Sequence, residues 1–275
     1  MQNPLDPVVE YGIERARELL AGKRVIAVTG AGVSTDSGIP DYRGQGRVVR
    51  HPLTFDEFLA SDANQARYWA RSFAGWNRIA MAEPNVAHQA LAAAERSNQI
   101  ADLITQNVDG LHQKAGSEKV LELHGRLDRV ICIDCNTGIT RIEMDQKIQA
   151  TNPDLVRHSE VEFTPDGDAE IEVPANFFAP TCQACGGRYK PDVVFFGEQI
   201  PLQRVALARA QVEAAEAILV AGSSLAVNSG LRLVKQAKQQ GLPVVVINIG
   251  ETKADHLTDV KINASAADVL GSLYL

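Results

Sequence analysis

Apolar positions along the chain recur with two periods. Over residues 8–20 they fall at Val9, Ile13, Ala16 and Leu20, the three-and-four spacing of one helix face. Gly22 ends that helix, and the run RVIAVT at 24–29 reads as a buried strand. Thr54 and Glu57 have capping-box spacing at the start of a short helix, TFDEFL. A longer helix is expected over 62–82, stopped by Pro84, and Asn85 then caps VAHQALAAAER. Further apolar runs predict strands at 101–105 (ADLIT), 120–123 (VLEL), 192–196 (DVVFF), 217–221 (AILVA) and 244–248 (VVVIN), with helices over 202–215 and 229–240 between the last three.

Apolar strands alternating with helices predict an α/β fold, a doubly wound, Rossmann-like parallel sheet. The less regular stretch from 126 to 190, with a polar insertion around TPDGDAE, interrupts it. The expected division is a Rossmann-like domain of residues 1–47, 85–125 and 190–275, and a small lobe. That lobe combines the module 126–189 with a helical insertion at 48–84. No internal repeat is present.

Composition narrows the function classes. The chain has 275 residues and a formal net charge of −7. An acidic protein without a basic stripe is not built primarily to bind nucleic acid. No apolar run reaches the length of a membrane span. The N-terminal stretch has neither a secretory pattern nor the arginine- and serine-rich character of a transit peptide, so a cytoplasmic location is expected.

The four cysteines, Cys132, Cys135, Cys182 and Cys185, form two C-x-x-C pairs. In a chain with no export signal this spacing reads as a closed tetrahedral zinc site, structural in role. The alternative is four reduced thiols or redox pairs.

Gly30 and Gly32 follow the first strand as the first half of a dinucleotide fingerprint. The next glycine, Gly38, comes too late, and no acidic residue ends a second strand near residue 50. The phosphate-cradling half is present and the hydride-transfer layout is absent; a simple tight turn is the competing reading. Asp41, Tyr42 and Arg43 then place an acid, an aromatic ring and a guanidinium in one short segment, suited to a pyrophosphate or ribose oxygen. Several strand exits are also polar: Gln106, Asn107 and Asp109; His124; Gly222, Ser223 and Ser224; Asn248 and Gly250. At the carboxyl edge of one sheet these make a polar cleft. His124 is the candidate general base, and the other five histidines read as structural. No serine lies in a G-x-S-x-G elbow, so a hydrolytic triad has no nucleophile.

GAGVSTDSGIPDYRG, TQNVDGLH, ELHG, the two C-x-x-C pairs, KPDVVFFGE, GSSL and INIG occur in the order found in sirtuins, and the chain resembles that family over essentially its whole length. RYWARSFAGW and the PDGD insertion most resemble the class II group, in a bacterial form. The resemblance implies an NAD-dependent protein lysine deacylase that consumes NAD and carries one structural zinc. Its partners would be acylated-lysine proteins. The expected products are lysine, nicotinamide and O-acyl-ADP-ribose.

By the same resemblance, Gly30, Ala31, Gly32, Asp41, Tyr42 and Arg43 would meet NAD, with tyrosine standing where the family usually has phenylalanine. Gln106, Asn107 and Asp109 would hold the nicotinamide ribose and carboxamide. Gly222, Ser223 and Ser224 would hold phosphate and ribose; Asn248, Ile249, Gly250 and Ala266 the adenosine end. His124, Asn107 and Asp109 form the implied catalytic set. Val194, Phe195, Phe196, Gly197 and Glu198 would pair with the substrate backbone as an added strand. Tyr68 and Arg71 form a Y-x-x-R pair on one helix face, which in some relatives recognises acidic acyl groups; packing on the helix surface is the alternative. Two other functions stay open: protein mono-ADP-ribosyl transfer and NAD sensing with little turnover.

Overall fold

The computed structural model describes residues 6–42, 53–155 and 162–275. Helix α1 (Pro7–Leu20) starts at an Asp6 cap and leads to β1 (Val25–Thr29), whose five residues are all buried. Helices α2 (Phe55–Ala60), α3 (Asp62–Ala80) and α4 (Val86–Arg96) follow. The predicted capping box is present at α2: Thr54 N–H donates to Glu57 Oε2 at 2.8 Å and Glu57 N–H to Thr54 Oγ1 at 3.3 Å. Asn85 caps α4 through Ala87 N–H at 2.9 Å. Then come β2 (Asp102–Thr105), the one-turn α5 (Leu111–Lys114), β3 (Val120–Glu122), β4 (Gly125–Cys132), β5 (Gly138–Thr140), α6 (Arg141–Thr151) and β6 (Tyr189–Val193). The chain closes with α7 (Leu202–Glu213), β7 (Ala217–Ala221), α8 (Asn228–Gln239), β8 (Val244–Ile247), β9 (Val260–Ile262) and α9 (Ala266–Tyr274).

Six strands form one sheet in the order β3-β2-β1-β7-β8-β9. Every pairing in it is parallel. Helices cover both faces. Ala16, Leu91 and Val269 pack on one side with Val25 and Leu219, while Val212, Val234 and Ala237 pack on the other with Ile26 and Val220. This is the doubly wound arrangement that buried, near-continuous apolar strands require.

The small lobe holds a three-stranded antiparallel sheet, β5-β4-β6. The run at 192–196, read from sequence as a strand of the main sheet, is placed differently. Strand β6 pairs antiparallel with β4 and ends at Val193. Its neighbours are apolar because Phe195 packs on Phe58 and Tyr68 in the small-lobe core, with ring centroids 5.0 and 5.3 Å away. Helix α3 is fastened to the cysteine module by the buried Arg141, which ion-pairs with Asp145 at 2.8 Å, donates to Ser72 and lies over the Trp69 and Trp76 rings. Among the described residues, no helix is long and apolar enough to cross a membrane.

Candidate active site

The order of the large sheet reverses at β1, with β2 and β3 on one side of it and β7, β8 and β9 on the other. Loops leaving β1 and β7 at their carboxyl ends diverge there and open a crevice. The resulting cleft has a volume of about 1550 Å³. That exceeds the roughly 300–1,000 Å³ of a pocket for one small ligand.

The sequence-predicted residues converge on this cleft. Gly30, Ala31, Gly32, Asp41 and Tyr42 line it from the loop after β1, and Gln106, Asn107 and Asp109 from the exit of β2. His124 lines it after β3, Gly222, Ser223 and Ser224 after β7, Asn248, Ile249 and Gly250 after β8, and Ala266 at the start of α9. Arg43 lies outside the described residues.

The first loop makes two single 3₁₀ turns, Ala31–Val33 and Thr35–Ser37, and no longer helix. Its glycines are needed for close backbone approach. Gly32 N–H donates to the Gly222 carbonyl at 2.8 Å. Gly222 has φ +59°, and a Cβ there would stand 2.3 Å from Val33 N. Leu225 is also left-handed, at φ +52°. Its N–H donates to Ser223 Oγ at 3.2 Å, and the Ser223 hydroxyl donates to Gln106 Oε1 at 2.7 Å. A non-glycine residue in this region stores on the order of 1 kcal/mol of strain. Here the strained turn fixes the hydroxyl that orients Gln106.

Beneath that layer lies a buried polar network centred on Ser34. Ser34 Oγ donates to Asp109 Oδ2 at 2.7 Å and accepts from Asn107 Nδ2 at 3.0 Å. His88 Nδ1 accepts from Asn85 N–H, so its proton sits on Nε2, facing Ser34 Oγ at 3.4 Å. Burial pushes the His88 imidazole down to about 4, so it is neutral. His112 is also held well below its ordinary value by burial and by His88, and pairs with Thr29 Oγ1 at 2.9 Å. Burial raises the Asp109 carboxyl, opposed by the Leu111 N–H, the Ser34 hydroxyl and the Arg126 charge. Ser34 carries no sequence signal beyond its place in the glycine loop, because its partners lie 54 to 75 residues away.

His124 stands where the two sheets meet. Its Nδ1 lies 3.0 Å from the Gln106 carbonyl, which can only accept, so Nδ1 carries the proton and Nε2 is the bare nitrogen. Nε2 accepts from the Ser229 hydroxyl at 2.9 Å. Burial first, and then the Arg204 charge, lower the imidazole pKa. Ser229 carries no local sequence signal, since only the crossover into α8 brings it to His124. Gly125 has φ +85°, and a Cβ there would lie 1.9 Å from the Asp192 carbonyl oxygen, so only glycine lets β4 start beside His124.

On the small-lobe side, Val194, Phe195, Phe196, Gly197 and Glu198 line the cleft. Val194 N–H donates to the His124 carbonyl at 2.9 Å, and Phe196 forms a parallel bridge with Thr54. Tyr42 meets Phe196 edge-on at 5.8 Å. The Glu198 side chain braces the segment: it accepts from Phe195 N–H at 2.9 Å and pairs with Lys190 at 3.1 Å. Tyr68 lines the cleft, but Arg71 does not. The Arg71 guanidinium turns to Asp168 in the polar insertion, Nε to Oδ1 at 2.7 Å. The Y-x-x-R pair therefore shares a helix without sharing the cavity.

The cysteine pairs meet away from the cleft, with all four Sγ atoms within 4.8 Å of one another. Cys132 to Cys185 and Cys135 to Cys182 measure 3.6 and 3.7 Å. A tetrahedron of 2.3 Å zinc–sulfur bonds has edges of about 3.8 Å, so the donor set fits zinc. The residues after the two knuckles, Asn136 and Gly186, are both left-handed, at φ +59° and +74°.

Known proteins resemble this chain in sequence and in fold. The model of the Sir2 family matches residues 30–229, from the glycine loop to the serine facing His124. A protein of Xanthomonas campestris pv. campestris (strain 8004) named NAD-dependent protein deacetylase is 49% identical over 271 residues, covering 97% of this chain and 90% of that one. The NAD-dependent protein deacylase Sirt4 of Drosophila melanogaster is 45% identical, covering 98% and 88%. A solved structure of Sir2 with a p53 peptide and NAD+ superimposes with a TM-score of 0.77 at 30% identity, covering 95% of this chain and 96% of that chain. With the family model matching most of the chain and relatives 45–49% identical over nearly its whole length, the chain belongs to the Sir2 family.

Proposed function

We propose that the protein is an NAD-dependent protein lysine deacylase, with deacetylation among its reactions. The observation that carries this reading is His124 Nε2: a neutral, correctly tautomerised base in the cleft that Asn107 and Asp109 also line. A binding module has no use for such a base.

NAD is the co-substrate, and its glycosidic bond to nicotinamide is the one exchanged for a bond to the acyl oxygen of the modified lysine. Gln106, Asn107 and Asp109 orient the nicotinamide end, with Ser34 locking the last two. Ser223 and Ser224 hold phosphate and ribose oxygens, and Asn248 and Ala266 close the adenosine end. Tyr42 and Phe196 keep water from the reacting carbon. His124 Nε2 takes up the ribose hydroxyl proton that must leave before the acyl group migrates. The 194–198 segment receives the peptide backbone, and Tyr68 and Phe195 wall the acyl chain. Zinc, held by Cys132, Cys135, Cys182 and Cys185, has no open position and serves the fold.

Chromatography of nicotinamide tests the reading. Release from NAD that depends on an acetyl-lysine peptide supports it, and release independent of peptide contradicts it. Gly222→Ala is expected to force the loops after β1 and β7 apart. A left-handed alanine with a clash costs about 1–3 kcal/mol. Calorimetric titration should show NAD binding weakened by about tenfold or more, since each 1.4 kcal/mol is a factor of ten.

A further inference from the structure

The polar insertion TPDGDAE does more than decorate the small lobe. Phe163 bridges Ala169, Thr164 N–H donates to the Asp168 carbonyl at 3.0 Å, and the Thr164 hydroxyl donates to Asp166. Gly167, at φ +73°, turns the tip. Two contacts clamp this hairpin to α3. Ala169 N–H donates to the Arg71 carbonyl at 3.3 Å, and Gly75 lies so close that a Cβ on it would sit 2.2 Å from the Gly167 carbonyl oxygen. The clamped tip delivers Pro165 and Asp166 into the cleft, at the end lined by Tyr68, Leu53 and Phe195.

Among the described residues, the charges there do not favour an anion. Arg71 is paired with Asp168, both side chains being less than a fifth exposed (17% and 18%). Asp166 adds a second carboxyl beside that pair, and burial raises both aspartates. Arg67 lies near enough to act on Asp168 but does not line the cleft.

We propose that Asp166 is a specificity-determining residue that reserves the acyl end of the cleft for uncharged acyl groups and rejects acyl chains ending in a carboxylate. The inference rests on the deacylase reading. An ionised Asp166 repels an incoming carboxylate across a poorly solvated gap. Burial raises the Asp166 carboxyl, but the Thr164 hydroxyl and the Arg71 charge oppose that rise and favour the ionised form.

The test uses the full-length, zinc-loaded protein and two peptides of one sequence, one butyryl-lysine and one succinyl-lysine. The acyl chains match in length and differ in the terminal methyl or carboxylate. The wild-type ratio of kcat/KM, butyryl over succinyl, is expected to exceed about tenfold. Asp166→Asn, which preserves shape, should lower that ratio by about tenfold or more through a rise in the succinyl value. Asp168→Asn, which frees Arg71, should lower it as well. Equal processing of the two peptides by the wild type, or a ratio unmoved by Asp166→Asn, would overturn the inference while leaving deacylation intact. Absence of peptide-dependent nicotinamide release with every acyl peptide would overturn the deacylase reading and this inference with it.

Discussion

His124→Ala is expected to lower kcat/KM for an acyl-lysine peptide by roughly 10²–10⁴-fold, the usual worth of a positioned general base. The protein should stay folded, because the ring's two hydrogen bonds go to Gln106 and Ser229 at the cleft and not to the sheet core. A melting curve superimposable on that of the wild type, together with the lost rate, identifies a chemical role. The same residue sets the pH profile. Burial and Arg204 lower its pKa from 6.5, and the neutral form is the active one. The acid limb of the activity profile should therefore have its midpoint below 6.5. An acid limb centred above 6.5 would mean that His124 is not the base that titrates.

The second large effect is expected from the cysteine tetrahedron. Structural zinc contributes on the order of 10 kcal/mol of apparent binding free energy in small metal-bound domains. Cys182→Ser removes one thiolate ligand and should cost much of that contribution. Metal analysis should then give less than one zinc per chain, and activity should be lost although no cysteine lines the cleft. The reason is connectivity. Strand β4 runs from Gly125, beside the base, to Cys132 in the first knuckle, and β6 runs from the second knuckle toward the 194–198 segment. Both sides of the substrate channel are strands whose other ends the metal holds. Chelation should reproduce the variant; full activity after complete zinc removal would show that the metal is dispensable to the site.

Much of this architecture is legible locally, because buried parallel strands such as VIAVT, AILVA and VVVI are continuous apolar runs. Capping residues announce α2 and α4 for the same reason: the signal and its partner are three residues apart or fewer. The polar strand exits mark the cleft because a doubly wound sheet gathers them on one edge. Several elements escape this logic, β4, α6 and α9 among them, and two others show why. The three-residue edge strand β9 is too short to show a period, and the apolar 192–196 run owes its character to aromatic packing in the small lobe. Ser34 and Ser229 escape as well, since each is defined by partners far away in sequence. Arg71 shows the converse. Its spacing from Tyr68 is a local fact, but its direction is set by Asp168, 97 residues on.

In the proposed reaction the acyl group leaves lysine for the ribose of NAD. The most direct measurement is mass spectrometry of the adenine nucleotide product from NAD and an isotopically labelled acetyl-lysine peptide. Labelled acetyl on ADP-ribose, formed one-for-one with nicotinamide and lost in His124→Ala, is the predicted result. ADP-ribose without acetyl, or ADP-ribose attached to protein, would contradict it.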